Sequence, residues 1–289
     1  MRIQLSIPLI LSWIGFPLWA QGSQPEPFIR ARVDVVNVVC TVKDHNDRYV
    51  SDLTREQFEI FEDGIRQSID FFHNQTGEKA EPLAIVLLID TSGSVKDKLE
   101  FEQIAAGEFL QTTLRKKKDM AAIVQFDSEI NLVQNFTYDY SKLKNAILAI
   151  RAGGATKLYD AIWLAVEDLL GDEIGRRVLV ILSDGADTQS TTSEQDAIKV
   201  AQEKDVVIYG IGVKSQRLDV ADFGKLKNFA ESTGGVFFNS KANLERLREA
   251  FTRINREIKN QYSLGYVSKN ERRASRVSER PKPSVPSTT

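Results

Sequence analysis

Asp90, Ser92 and Ser94 stand at steps of two directly after the apolar run Ile85-Val86-Leu87-Leu88-Ile89. A carboxylate and two hydroxyls are thereby gathered where the chain leaves a strand, and hard oxygen donors of this kind suit Mg²⁺, Mn²⁺ or Ca²⁺ rather than zinc. Two other stretches carry the same chemistry. Ile181-Leu182-Ser183-Asp184-Gly185 ends an apolar run on a carboxylate, and Gly153-Gly154-Ala155-Thr156 is a glycine turn able to present a hydroxyl. If the two runs are central, parallel strands, Asp90 and Asp184 project from one sheet edge. A divalent cation between them would meet Ser92, Ser94 and Thr156 as neutral ligands. Two nearby carboxylates balance its charge, while hydroxyls and waters leave it electrophilic. One position then stays open for an Asp or Glu carboxylate of a protein partner, completing the octahedron that Mg²⁺ demands.

Each residue alone has a plainer role. Asp90, Ser92 or Ser94 could cap the helix that follows, and Asp184-Gly185 could be a turn. Asp187 and Thr188 read as rim residues. The set of five is what argues for metal. Catalysis finds less support. Phosphotransferases of the haloacid dehalogenase type also begin with an Asp at a strand end, but they need a second Asp where Ser92 stands. A serine nucleophile wants a base, and no histidine follows His73, so a Ser-His-Asp arrangement is excluded from the larger domain. Gly210-Ile211-Gly212 is too short for a dinucleotide loop.

Bringing the five together requires alternating strands and helices. Continuous apolar runs without polar alternation mark strands buried on both faces. Strands are expected at 83–90, 120–126, 178–182, 206–213 and 236–238, with an edge strand at 130–133. Helices are expected at 96–117, 140–150, 158–170, 193–203, 223–231 and 244–258. The first helix should bury Phe101, Ile104, Ala105, Phe109 and Leu114. The pattern is that of an α/β fold, a doubly wound, mostly parallel sheet flanked by helices.

The flanks differ. Residues 1–20 hold Arg2, an apolar stretch and a small residue at Ala20, the pattern of an export signal, and the apolar run is short for a membrane span. A linker is expected at 21–28, and a small β-rich module at 29–78. In the module, Thr54 and Gln57 can form a capping box, and Glu62-Asp63-Gly64 marks a hairpin. At about 50 residues such a module needs outside packing. The larger domain spans 82–259, a strand at 260–268 returns to the module, and an Arg-, Ser- and Pro-rich tail fills 269–289 and cannot bury a core. Net charge is −2, so no global field recruits nucleic acid or an anionic membrane. The run Arg115-Lys116-Lys117-Lys118 is read as cations at a helix C-terminus. The one cysteine, Cys40, sits among valines and excludes an intrachain disulfide framework. The mature protein should be periplasmic or secreted, with no stable membrane span once the signal is cleaved.

Asp90-x-Ser92-x-Ser94, followed by Gly-Gly-x-Thr156 and Ser-Asp184-Gly, resembles the metal-ion-dependent adhesion site of von Willebrand factor type A domains over about residues 82–259. The resemblance implies the Rossmann-like fold of that family and metal ligation by these five residues. It also implies direct coordination by the hydroxyls, aspartates that often act through water, and a threonine that joins the ion as the last helix shifts. Val42-x-Asp44, the segment from Leu53 to Gly64 and Tyr262-Ser263-Leu264-Gly265-Tyr266 resemble exported proteins of this type first grouped in Acidobacteria. Two departures stand out: Asn46-Asp47 replaces a glycine turn, and the Arg/Ser/Pro-rich tail replaces further strand-like sequence. The expected function is an exported, metal-dependent adhesion or interaction module. The alternatives are an envelope scaffold with a structural metal, or a Mg²⁺-dependent hydrolase.

Overall fold

Residues 35–213, 223–240 and 243–269 are described by the computed structural model. The export signal, the linker, the start of the β-rich module and all but the first residue of the tail lie outside them.

The described part of the chain begins with β1 (Val35–Thr41), a tight turn at residues 44–47, and a 3₁₀ turn at Arg55–Gln57. Gln57 Oε1 accepts from Thr54 N at 2.8 Å, the expected capping-box contact. The hairpin is β2 (Ile60–Glu62) and β3 (Ile65–Gln67). Asp63 and Gly64 take φ of 50° and 80° at its turn, the backbone that a two-residue hairpin with the right twist demands. β4 (Phe71–Asn74) follows.

From Leu83 the chain alternates: β5 (Leu83–Asp90), α1 (Leu99–Thr113), β6 (Met120–Phe126), β7 (Ile130–Thr137), α2 (Tyr140–Ala149) and α3 (Leu158–Leu164). α3 runs on as a π-helical stretch at Ala165–Leu170. Next come β8 (Arg176–Ser183), α4 (Glu194–Glu203), β9 (Val206–Gly212), α5 (Phe223–Ser232), β10 (Phe237–Asn239), α6 (Leu244–Lys259) and β11 (Gln261–Val267). Six strands form one sheet in the order β10-β9-β8-β5-β6-β7, parallel except for β7, which runs antiparallel on the edge. The expected doubly wound α/β sheet is therefore present. β7 extends four residues past the expected edge strand, and its pairing with β6 is interrupted by register shifts.

β5 is buried along its whole length. Leu83, Ile85, Leu87 and Ile89 face one layer with α1, α2 and α6; Ala84, Val86 and Leu88 face the other with α3, α4 and α5. Period-two side chains landing in two apolar layers is why the run shows no polar alternation. At about 1.5–3 kcal/mol per buried aliphatic side chain, this strand is a main anchor of the core.

β11 returns to the N-terminal module, as expected. It lies between β1 and β4 in an antiparallel three-stranded sheet. Leu264 and Tyr266 pack with Ile60, Val36, Val38, Phe58 and Phe72, and Tyr262 lies 5.0 Å from Phe58 between ring centres. The Tyr262 hydroxyl donates to Val50 O at 2.8 Å and accepts from Leu53 N at 3.1 Å.

α1 corrects two expectations. It ends at Thr113 rather than 117, and its buried face is Leu99, Glu102, Ala105, Ala106, Phe109, Leu110 and Thr113, while Phe101 and Ile104 are 36% and 37% exposed. The basic run lies past the helix. Arg115 instead pairs with buried Asp119 at 2.7 Å and donates to the carbonyls of Gly77, Ala80 and Glu81.

Candidate metal centre

β5 and β8 are neighbours, parallel, with Ile89 opposite Leu182. This register sets Asp90 beside Ser183 and carries Asp184 one residue further along the same edge. The order of connection reverses between these two strands, the position where open α/β sheets form their clefts. Ser183 Oγ donates to Asp90 Oδ2 at 2.6 Å. Asp90 Oδ1 accepts from Ser92 N at 2.8 Å, an Asx turn that bends the chain over the strand end. Ser92 Oγ and Ser94 Oγ then stand 2.9 Å apart.

Thr156 arrives from a distant part of the chain, and backbone bonds hold it there. Gly153 N donates to Thr91 O at 2.6 Å, and Gly93 N donates to Gly154 O at 3.1 Å. Gly154 has φ +99°, and a Cβ would lie 2.9 Å from Ser128 Oγ, so only glycine makes this turn. On its other side, Thr156 O accepts from Thr188 N at 3.0 Å and Gln189 N at 3.1 Å, and Thr156 N donates to Thr188 Oγ1 at 3.2 Å. Ala186 N closes a turn on Asp184 Oδ1 at 3.0 Å. Three loops are thus tied pairwise at one strand edge, and they carry Asp90, Ser92, Ser94, Thr156 and Asp184.

Asp90, Ser92, Thr156 and Asp184 are buried, and Ser94 is half-buried, while Gly93, Gly153 and Gly154 are exposed. Four of the five candidate ligands are thus buried, while glycines of the loops that carry Ser92, Ser94 and Thr156 reach the surface. Burial pushes the Asp90 carboxyl up to about 6; hydrogen bonds from Ser183 and Ser92 oppose this, and the Asp184 charge adds to it. This electrostatic imbalance is one that a bound cation relieves. Among the described residues, no three His, Cys, Asp or Glu side chains converge as a metal-holding group. The donor set is two carboxylates and three hydroxyls, a composition that fits a hard divalent ion.

Three supporting residues take their roles from tertiary contacts that no motif encodes. Ser183 is paired to Asp90 only through the β5–β8 register. Asp187, expected at the rim, accepts from Leu158 N at 2.8 Å and Ser190 Oγ at 2.6 Å, so it caps α3 from another loop. Thr188, also expected at the rim, anchors Thr156. Glu102 is wholly buried on α1, and neither of its oxygens has a hydrogen-bond partner among the described residues. A misplaced helix face hid it.

The sequence profile of the von Willebrand factor type A domain matches residues 84–253, more than half of the chain. An uncharacterised protein of Borreliella burgdorferi is 25% identical over 183 residues, 54% of this chain and 53% of that protein. Calcium-activated chloride channel regulator 3A-1 of Mus musculus is 26% identical over 190 residues, 61% of this chain and 19% of the relative. The chain thus spans about half the length of the first curated relative and about a fifth of the second. Proximal thread matrix protein 1 from the mussel byssus, in a structure described with a zinc-occupied MIDAS motif, aligns with a TM-score of 0.54 at 18% identity, covering 66% of this chain and 48% of that one. At that identity the likeness is one of fold.

Proposed function

Because this chain belongs to the von Willebrand factor type A domain family, we propose that Asp90, Ser92, Ser94, Thr156 and Asp184 hold a divalent cation, and that the protein is an exported, metal-dependent protein-binding module. Its partner is a protein offering an Asp or Glu carboxylate. The observation that carries the reading is the joining of three loops that bring two carboxylates and three hydroxyls to one strand edge. A cation bound there supplies an electrophilic centre for the partner's carboxylate. The chain's own part is to hold its oxygens in place before binding, through Ser183, Thr188 and the Gly153-Gly154 turn, so little ordering cost falls on association. Mg²⁺ is the favoured ion, with Mn²⁺ or Ca²⁺ next, since every donor is oxygen. The byssus protein's zinc makes Zn²⁺ the competitor to include. Export is supported by the apolar residues 3–19 ahead of Ala20, and no helix among the described residues is long and apolar enough to cross a membrane. Binding rather than catalysis suits a site with no histidine after His73.

Immobilised wild-type protein and the Asp184→Ala variant test the reading on envelope extract, in Mg²⁺ and in EDTA. Capture of a partner by wild type in Mg²⁺ alone is the expected result. The same capture in EDTA, or by an Asp184→Ala variant that titration calorimetry shows binds no Mg²⁺, would overturn it.

A further inference from the structure

A cleft of about 270 Å³ lies where the β1-β11-β4 sheet meets the starts of β8 and β9, at the end of the main sheet opposite the Asp90 edge. Side chains alternate between the two faces of the small sheet. Val36, Val38 and Leu264 pack with Ile60, while Val35, Asn37, Val39 and Ser263 line the cleft from the other face. Val178 of β8 and Val207 of β9, opposite each other in register, form its floor. Apolar walls with a few polar groups, at a junction between module and domain, are the build of a small-molecule site.

Two opposite charges border that floor without meeting. Arg176 precedes Val178 by two residues on β8, so it shares a face with it, and Asp205 stands just before β9. Arg177 is paired with Val206, a register that brings Arg176 and Asp205 side by side, and both line the cleft. Yet the Arg176 guanidinium turns to Ile258 O at 2.7 Å, and its Nε has no partner among the described residues. Burial and the Arg115 charge lower its pKa to about 10, so an anion beside it is favoured. The Asp205 carboxylate accepts no hydrogen bond and joins no ion pair among the described residues. The other charges on the wall are engaged. Glu81 Oε2 accepts from Gln75 Nε2 at 2.5 Å, His73 stands 4.0 Å from Glu81, and Arg177 donates to the carbonyls of Glu173 and Lys204. A simple cation would suit Asp205 and be repelled by Arg176, and a simple anion the reverse. A molecule carrying both charges satisfies both, and the valine walls suit an apolar side chain.

We propose that this cleft binds a small zwitterion, an apolar α-amino acid, with its carboxylate toward Arg176, its ammonium group on Asp205 and its side chain against Val39, Val178 and Val207. The inference goes beyond the metal reading and does not depend on it.

Titration calorimetry of L-leucine into the full chain in EDTA tests it, with acetate and butylamine as probes of one charge each, and melting curves without ligand as a check of the fold. L-Leucine should bind wild type. Each single-charge probe should bind about tenfold or more weakly, as should L-leucine to Asp205→Asn, the loss that follows removal of a charge-assisted hydrogen bond. Asparagine tolerates the φ of 52° at this position, so the variant should melt as wild type does. Asn37→Trp, on the exposed side of the cleft, should fill it and abolish binding at an unchanged melting temperature. Should either variant fail to fold, the other decides. No heat from L-leucine at millimolar concentration, acetate or butylamine binding as tightly as L-leucine, or wild-type affinity in a folded variant would each overturn the proposal. Asp184→Ala should bind L-leucine as wild type does, so the metal reading and this one fail separately.

Discussion

Asp90 and Glu102 give the molecule a pH dependence of a definite sign. Burial raises both carboxyls above the ordinary range, Asp90 to about 6 and Glu102 well above its usual value. The folded state therefore holds protons that the unfolded chain has released, and stability falls as pH rises. Asp44, Glu108 and Asp160 are held below the usual range; ionised in both states above pH 5, they add no slope there. In EDTA the melting temperature should drop between pH 5 and 7, with Asp90 alone contributing about 1–2 kcal/mol. Saturating Mg²⁺ should offset the loss, since an ion at a hundredfold its Kd stabilises the native state by about 2.7 kcal/mol. Scanning calorimetry across that range checks both, and a melting temperature that climbs with pH in EDTA contradicts the first. Asp90, Ser92 and Ser94 stand out as candidate donors because residue type and steps of two carry the signal, and Thr156 and Asp184 because each follows or precedes a glycine turn near a strand end. Ser183 does not, because its bond to Asp90 depends on how β8 slides against β5, which no local spacing encodes.

At the scale of elements, most of the sheet is legible because long apolar runs leave few alternatives, whereas the end and the buried face of α1 differ from what its sequence pattern suggests. Its cations looked like the tail of a helix. Arg115 is instead a latch past that end: its guanidinium meets both oxygens of Asp119 and three carbonyls of the joint before β5. Asp119 also accepts from Leu83 N at 3.0 Å, so one carboxylate fixes the start of β5. Asp119→Ala leaves Arg115 and that amide without their partner and should cost about 2–3 kcal/mol, read as a lower urea midpoint at unchanged slope. An unchanged midpoint would show the latch to be incidental. Gly175 holds the start of β8 in a similar way. Its φ is +94°, and a Cβ would stand 2.4 Å from Pro82 O. Gly175→Ala should therefore lower stability by more than about 1 kcal/mol, measured by the same unfolding curves, and equal stability would mean that the β5 and β8 starts can part freely.

Across the whole molecule, β11 is the last described strand yet the centre of the first sheet, so the N-terminal module is completed by residues that follow the α/β domain in sequence. The strand itself is readable in Gln261-Tyr262-Ser263-Leu264-Gly265-Tyr266-Val267, and its return is expected because it follows the last helix of the α/β domain. The clamp that accompanies it is not, because it joins residues more than two hundred positions apart. Tyr49 donates to Glu257 Oε1 at 2.7 Å, and Lys43 pairs with the same oxygen at 3.0 Å, which ties the module's first turn to the end of α6. Glu257 is almost wholly buried, so breaking this contact strands a lysine and a tyrosine at the junction. The family resemblance implies that α6 shifts when the threonine joins the cation. If so, the clamp holds one end of the moving helix, and Glu257→Ala should widen the Mg²⁺-dependent difference in amide exchange along Leu244–Lys259 while leaving β5 protected to the same degree. The turn at residues 43–49 should exchange faster in the variant with or without Mg²⁺, because its anchor is gone. Identical exchange in α6 of wild type and variant, in both Mg²⁺ and EDTA, would show instead that module and metal edge are energetically separate, and the helix would then be a fixed wall of the core.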